Sequence, residues 1–208
     1  MAFDYKKEYK EFYLPAKSPS IINIPSMNFI AVNGKGNPND KDGDYQKAIE
    51  SLYTIAYTIK MSKKTTHQIK GYFDYVVPPL ESLWWQEEDN FNNQHKERFQ
   101  WLAIIRLPDF VTENDVIWAK EQAYQKKKKD FSHVQFLTYN DGLCVQCLHI
   151  GSYDKEATTI QMMEEYIYDL GYQINITNKR FHHEIYLSDP RRTKTEKLKT
   201  VIRIPICK

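Results

Sequence analysis

The sequence is poor in cysteine and contains no long apolar run. Three cysteines occur among 208 residues, and so low and odd a number is a poor basis for a disulfide framework. No stretch reaches the roughly 18 consecutive apolar residues of a membrane-spanning helix, and the opening residues MAFDYKKEYKEFY lack the apolar segment of a signal peptide. These absences predict a cytoplasmic protein without a membrane partner.

The sequence also lacks a strong net charge. Lysine and arginine together number 29, against 27 aspartates and glutamates, so no overall field favours nucleic acid or an anionic membrane. The basic run KKKK at residues 126–129 is typical of a helix carboxyl terminus, where cations are stabilising. We therefore expect no direct nucleic-acid partner.

Two of the cysteines form the motif CVQC, which has the spacing of a redox or zinc site. A redox motif requires a helix that begins at its first cysteine, and a zinc site requires a second pair of ligands. Cys144 and Cys147 instead lie in LCVQCLHI, which is rich in strand-forming residues. The pattern predicts buried strand cysteines, and we expect neither a metal nor a cofactor.

Aromatic residues are abundant, with 15 Tyr, 10 Phe and 4 Trp making up 14% of the chain. Aromatic side chains dominate protein cores, and they also line pockets for flat organic ligands. Composition alone leaves both roles open, so the position of each aromatic residue must decide between them.

A hexamer in the middle of the chain returns near its end. AIIRLP at residues 103–108 is matched by TVIRIP at residues 200–205, and each follows the same order of predicted elements. Strand, helix, strand and strand are predicted over residues 21–32, 44–61, 71–79 and 99–108, and again over residues 143–150, 157–170, 181–190 and 198–205. The repeat predicts a duplicated unit, in which the unmatched segment LESLWWQEEDNFNNQHKERF is an insertion in the first copy.

These elements predict an α+β fold of two tandem strand-helix-strand-strand (SHS2) modules with pseudo-two-fold symmetry. A three-stranded sheet with one helix cannot bury both of its faces, so we expect the modules side by side. Both helices would lie on one face, and a concave ligand cleft would form between the modules.

The domain organisation follows from the repeat. We expect an N-terminal arm over residues 1–19 and a single domain over residues 20–208. Within that domain, module one spans about residues 20–108, a connecting helix and strand about 109–140, and module two about 141–206, with the boundary error of a sequence-based assignment.

The segment FHHEIYL carries the most informative alternation. Successive strand residues face opposite sides, which places His182, Glu184 and Tyr186 on one side and His183 on the other. The second side is otherwise apolar and is expected to face the helices, with His183 as a hydrogen-bonded core residue. The first side would face the cleft, or else be a solvated sheet surface. The following SDPRR predicts a turn in which Asp189 accepts local hydrogen bonds.

Several separated motifs resemble the gyrase-inhibitor-like (GyrI-like) small-molecule-binding family, in particular its stand-alone members. They are HHEIYLSDPRR, KLKTVIRIPI and HIGSYDKE in the second half and FDYVVPPLESLWW in the first. The resemblance covers nearly all of residues 20–206. It implies two tandem strand-helix-strand-strand modules with a ligand cleft between them, in agreement with the repeat.

The resemblance implies several activities. Relatives include drug-sensing effector domains fused to DNA-binding helices, proteins that bind and inhibit DNA gyrase, and stand-alone hydrolases of cyclopropanoid alkylating toxins. Only about 20 residues precede the first matched strand, so we do not expect a direct transcriptional regulator. The expected function is binding of a planar aromatic molecule or toxin with hydrolysis of its strained ring. The alternatives are a non-catalytic drug-sequestering protein and a gyrase-binding inhibitor.

Six residues are candidates for the site. Trp84 and Trp85 would stack on the ligand, unless they form an aromatic plug at the module seam. Glu184, with a pKa raised by desolvation, would act as general base toward water, or as counter-charge to a bound cation. Tyr186 or His182 would donate to the ligand carbonyl. Glu81 is a further acidic candidate, and a structural cap is an equal interpretation of it.

Overall fold

The computed structural model describes residues 2–86 and 96–208 and has an α+β architecture. The helices of this part of the chain are α1 (Tyr5–Glu8), α2 (Lys10–Tyr13), α3 (Asp44–Lys60), α4 (Glu113–Lys127) and α5 (Glu156–Asp169). The strands are β1 (Ser20–Ile24), β2 (Met27–Lys35), β3 (Leu80–Trp85), β4 (Gln100–Arg106), β5 (Gln135–Tyr139), β6 (Gly142–Ile150), β7 (Gln173–Ile174), β8 (His182–Tyr186) and β9 (Lys199–Cys207). All pairings between these strands are antiparallel. The predicted α+β class is confirmed.

The order of the strands is symmetric about the centre of the sheet. That order is β1-β6-β9-β8-β3-β4-β2-β5, with β7 added to β9. In each half the last strand lies between the other two, since β4 separates β2 from β3 and β9 separates β6 from β8. The halves meet where β3 pairs with β8. Such an order is compatible with a duplication, and the duplication itself and its pseudo-two-fold axis stay predictions.

The strand predicted over residues 21–32 is in fact two strands that pair with different halves of the sheet. β1 and β2 are separated at Pro25, which has no backbone N–H to donate. β1 pairs with β6 of the second half, and β5, which precedes β6 in the chain, pairs with β2 of the first half. This exchange ties the two halves of the chain together across the sheet.

The prediction of a strand in GYFDYVVPP is wrong. Strand β3 begins at Leu80, directly after Pro78 and Pro79. It is a central strand that pairs with both β4 and β8, and proline lacks the N–H that such a position needs. The prolines therefore precede the strand instead of ending it. Trp84 and Trp85 belong to the sheet and not to an insertion, and residues 87–95 of that predicted insertion lie outside the described residues.

Helices α3 and α5 pack on the same face of the sheet. α3 packs through Leu52 and Ile55 against Ile105 of β4, and α5 packs through Met163 against Ile202 of β9. Residues paired directly across an antiparallel ladder share a face, and the register through β3 and β8 puts Ile105 and Ile202 on one side. The predicted placement of both helices on one face is confirmed, and we call it the helix-bearing face.

The N-terminal arm covers the opposite face, although the sequence indicated little structure there. Tyr5 of α1 and Tyr13 of α2 are buried in a cluster with Ile185 of β8 and Val201 of β9. We call this side the arm-bearing face. A sheet with helices on one side needs a second covering layer to bury its other apolar side, and the arm supplies part of that layer.

Short motifs elsewhere have the predicted structural roles. Cys144 and Cys147 are buried free thiols on β6. The last turn of α4 carries part of the lysine run, and Asp189 accepts a hydrogen bond from the backbone N–H of Arg191. None of the helices in the described part of the chain is long and apolar enough to cross a membrane.

Candidate functional site

Four of the six predicted site residues come together at the centre of the sheet. His182, Glu184 and Tyr186 share one face of β8, as the alternation predicted, and Trp84 of β3 lies directly opposite His182. The predicted orientation is wrong, however, because this set shares the helix-bearing face and His183 lies on the arm-bearing face. α3 packs over β2 and β4, and α5 packs over β6 and β9. The central strands β3 and β8 therefore lie between the two helices.

Glu184 is the centre of a hydrogen-bonded cluster. Tyr186 donates its hydroxyl to Glu184 Oε2 over 2.7 Å, and His182 Nε2 lies 3.1 Å from Glu184 Oε1. The indole N–H of Trp84 in turn donates to the Tyr186 hydroxyl over 3.1 Å. Glu184 is 9% exposed and His182 is 4% exposed. Both carboxylate oxygens of a buried acid are thus held by neighbouring side chains.

Aromatic rings frame this cluster from both helices. Tyr45 of α3 packs on Trp84 with ring centroids 5.3 Å apart, and its hydroxyl lies 2.6 Å from the Ser82 hydroxyl. Tyr153, just before α5, packs edge-on against Tyr186 at 5.7 Å. The sequence indicated neither tyrosine, because each comes from an element far from β8 in the chain. The arrangement is a carboxylate between aromatic walls, which suits a flat or cationic organic ligand.

A second carboxyl, Glu156, was also missed by sequence reasoning. It is the first residue of α5 and is only 4% exposed. Burial, and then the negative charge of Glu184, raise the pKa of Glu156 to about 10. The signal available in the sequence was its position as the last residue of the motif HIGSYDKE.

The pKa values of Glu184 and Glu156 are shifted in opposite directions. Burial alone would raise the pKa of Glu184, but hydrogen bonds from His182 and Tyr186 and the neighbouring Glu156 lower it below its usual value. The expectation of a raised pKa for Glu184 is therefore wrong, and burial has that effect on Glu156 instead. Two acids in contact in a buried site cannot both ionise cheaply. These opposite directions favour a single proton on the pair at neutral pH, held by Glu156, with Glu184 as the anion.

Glu81 and Trp85 are not part of this cluster, because they point to the arm-bearing face. Glu81 Oε2 lies 2.9 Å from His183 Nε2, and His183 Nδ1 lies 2.8 Å from Asp141 Oδ2. Arg203 donates to the same Asp141 oxygen over 3.2 Å. We call Glu81, His183, Asp141 and Arg203 the buried ion network; each is 3% exposed or less. His183 is thus a hydrogen-bonded core residue, as predicted.

Trp85 has a packing role on that same face. Its ring lies 4.7 Å from that of Phe181. It is separated from Trp84 by the thickness of the sheet, because neighbouring residues of a strand face opposite sides. Only one of the two adjacent tryptophans can therefore contact a ligand bound beside Glu184.

Two surface depressions lie away from the Glu184 cluster. One of about 510 Å³ is lined by residues of α5 and β7, including Tyr168 and Tyr172. Another of about 220 Å³ lies between α4 and the start of β5. Within residues 2–86 and 96–208, no group of three or more His, Cys, Asp or Glu side chains is arranged to hold a metal ion.

Comparison with known proteins places the chain in a family. Residues 17–206 match the model of the GyrI-like small molecule binding domain. An uncharacterized conserved protein from Listeria innocua is 46% identical with a TM-score of 0.93, over 99% of this chain and 100% of that one. A hydrolase from Listeria innocua is 44% identical with a TM-score of 0.89, over 99% and 100%. No curated protein matches the sequence. The chain belongs to the GyrI-like small-molecule-binding domain family.

Proposed function

We propose that this protein binds planar aromatic molecules between α3 and α5 and hydrolyses cyclopropanoid alkylating toxins. The observation that carries the proposal is the buried Glu184, held by His182 and Tyr186 and flanked by the ring of Trp84. Membership of a small-molecule-binding family and a 44% identical relative named a hydrolase support it.

In the proposed reaction, the toxin stacks on Trp84 and Glu184 accepts a proton from a water aimed at the cyclopropane carbon. A carboxylate that is already ionised is ready to accept this proton. Tyr186 donates its hydroxyl to Glu184, so its contribution is to orient the base. His182 contacts the other Glu184 oxygen and has the same orienting role.

One observation favours a non-catalytic alternative. The lowered pKa of Glu184 makes it a persistent anion, and a persistent anion beside aromatic rings attracts organic cations. A protein of this kind would sequester cationic drugs without changing them. In that case the aromatic walls would supply affinity and the carboxylate would supply charge selectivity.

The test is incubation of a cyclopropanoid toxin in large molar excess with the purified protein, followed by mass spectrometry. A hydrolase is expected to yield more water-addition product than there is protein, above the rate of the protein-free control. A sequestering protein would instead saturate at a fixed ratio of bound ligand and yield no product above that control.

The two tryptophans provide a matched pair of variants for locating the ligand. We expect a planar aromatic cation such as ethidium to quench the tryptophan fluorescence of the parent. The quenching should decrease most in Trp84→Phe, because Trp84 faces the Glu184 cluster. Ethidium should quench the fluorescence of Trp85→Phe about as much as that of the parent, since Trp85 lies on the arm-bearing face against Phe181. A larger loss in Trp85→Phe than in Trp84→Phe would move the ligand to the other face of the sheet.

A further inference from the structure

The two carboxyls of the site differ in how their oxygens are satisfied. Each oxygen of Glu184 has a hydrogen-bonding neighbour, Tyr186 or His182. Glu156 Oε1 is fully buried and finds no hydrogen-bond partner among the described residues. The hydroxyl of Thr200, directly opposite Tyr186 on β9, is equally buried and lies beside Glu156. An unsatisfied buried polar atom costs free energy. The unpartnered Glu156 Oε1 therefore indicates that a polar group of a ligand binds beside it.

The same difference fixes where the proton of the pair resides. Hydrogen bonds from His182 and Tyr186 stabilise negative charge on Glu184, whereas burial and the charge of Glu184 outweigh the one hydrogen bond, from Thr200, that favours the Glu156 anion. A proton shared by two buried acids therefore remains on the acid with fewer donors. Glu156 is the carboxylic acid of the pair and has an O–H to give.

Other donors near Glu184 are already engaged. The Tyr186 hydroxyl donates to Glu184 and accepts from Trp84. His182 Nε2 faces Glu184 Oε1. Among the side chains that surround the anion, Glu156 combines an acidic proton with an oxygen that has no partner.

We infer that Glu156 is the proton donor of ring opening, giving its carboxyl proton to the ligand carbonyl oxygen while Glu184 takes a proton from the attacking water. This inference rests on the proposed function and adds a second catalytic residue to it. Two carboxyls of one site whose pKa values differ, so that one is an acid and the other a base, are a recurring arrangement for chemistry at neutral pH.

The step balances without a further reactant. The water oxygen forms a bond to the cyclopropane carbon, and one water proton passes to Glu184. The carbon–carbon bond of the ring breaks, and its electron pair moves through the conjugated system to the carbonyl oxygen, which takes the proton of Glu156. Transfer of one proton from Glu184 back to the neighbouring Glu156 restores the starting state, so the net change is addition of one water.

The decisive variant is Glu156→Gln, which keeps the size of the side chain and removes the acid. We expect turnover to fall by about 100-fold or more, with ligand affinity little changed. The parent rate should decline on the alkaline side as Glu156 loses its proton, and this limb should be missing in the variant. Glu165→Gln, an exposed position on the same helix, is the matched control and should behave as the parent.

A measurement without turnover locates the proton directly. The infrared band of a protonated carboxyl should persist in the parent at neutral pH and disappear in Glu156→Gln. If that band persists, or if Glu156→Gln turns over at the parent rate while the parent is active, Glu156 is not the donor. A parent that binds the toxin and forms no product overturns the proposed function, and the donor role with it.

Discussion

Glu184→Gln is expected to lower the rate of cyclopropanoid hydrolysis by about 100-fold to 10,000-fold while leaving the affinity for neutral aromatic ligands nearly unchanged. The amide preserves size and can still hydrogen-bond, but it cannot accept a proton from water. Turnover is measured by mass spectrometry, and affinity by titration with one neutral and one cationic aromatic ligand.

The same variant separates the two candidate functions. If Glu184 acts only as a counter-charge, Glu184→Gln should weaken binding of the cation and spare the neutral ligand, because only the Coulombic attraction is lost. Glu165→Gln again provides the control for a glutamate outside the site. Parent values for both turnover and cation affinity in Glu184→Gln would mean that this carboxylate does not act on the ligand.

The largest effect on stability is expected at His183. His183→Leu leaves Glu81 and Asp141 buried without the cation between them, and breaking a buried ion pair in this way typically costs about 3–5 kcal/mol. The free energy of unfolding in urea measures the loss. His133→Leu is the matched control, because His133 is exposed and substitutions at such positions usually change stability by less than about 0.5 kcal/mol.

The loss should depend on pH in a defined direction. Burial lowers the pKa of His183, but Asp141 and Glu81 outweigh it and raise that pKa from 6.5 to about 9. A folded-state pKa above the unfolded value gives stability that is complete below pH 6.5 and disappears as the pH rises to about 9. The difference between parent and His183→Leu should therefore shrink over that interval. A difference that stays constant or grows would contradict a charged His183.

The alternating pattern of β8 shows which features of the site the sequence can predict. A strand has a side-chain period of two, so FHHEIYL alone determined that His182, Glu184 and Tyr186 share a face and that His183 does not. It did not determine which face carries the helices. That depends on how α3 and α5 cross the sheet, and the predicted side was wrong.

Prolines limited the prediction in a different way. Pro78 and Pro79 indicated a boundary correctly, because proline cannot continue a central strand. A boundary does not say which side of it holds the strand. The pairing of β3 with both β4 and β8 settled that, and it moved Trp84 and Trp85 from an insertion into the sheet.

The sequence by itself determined the α+β class, the recurring element order and a carboxylate with two polar neighbours on β8, since each of these follows from local periodicity and composition. Only the tertiary structure brought Glu156 beside Glu184 and separated Glu81 from it. Glu156 comes from the start of α5, and Glu81 faces the opposite side of β3 from Ser82. Such contacts are set by strand pairing and helix packing between segments distant in the chain, which leave no periodic pattern in the residues that meet.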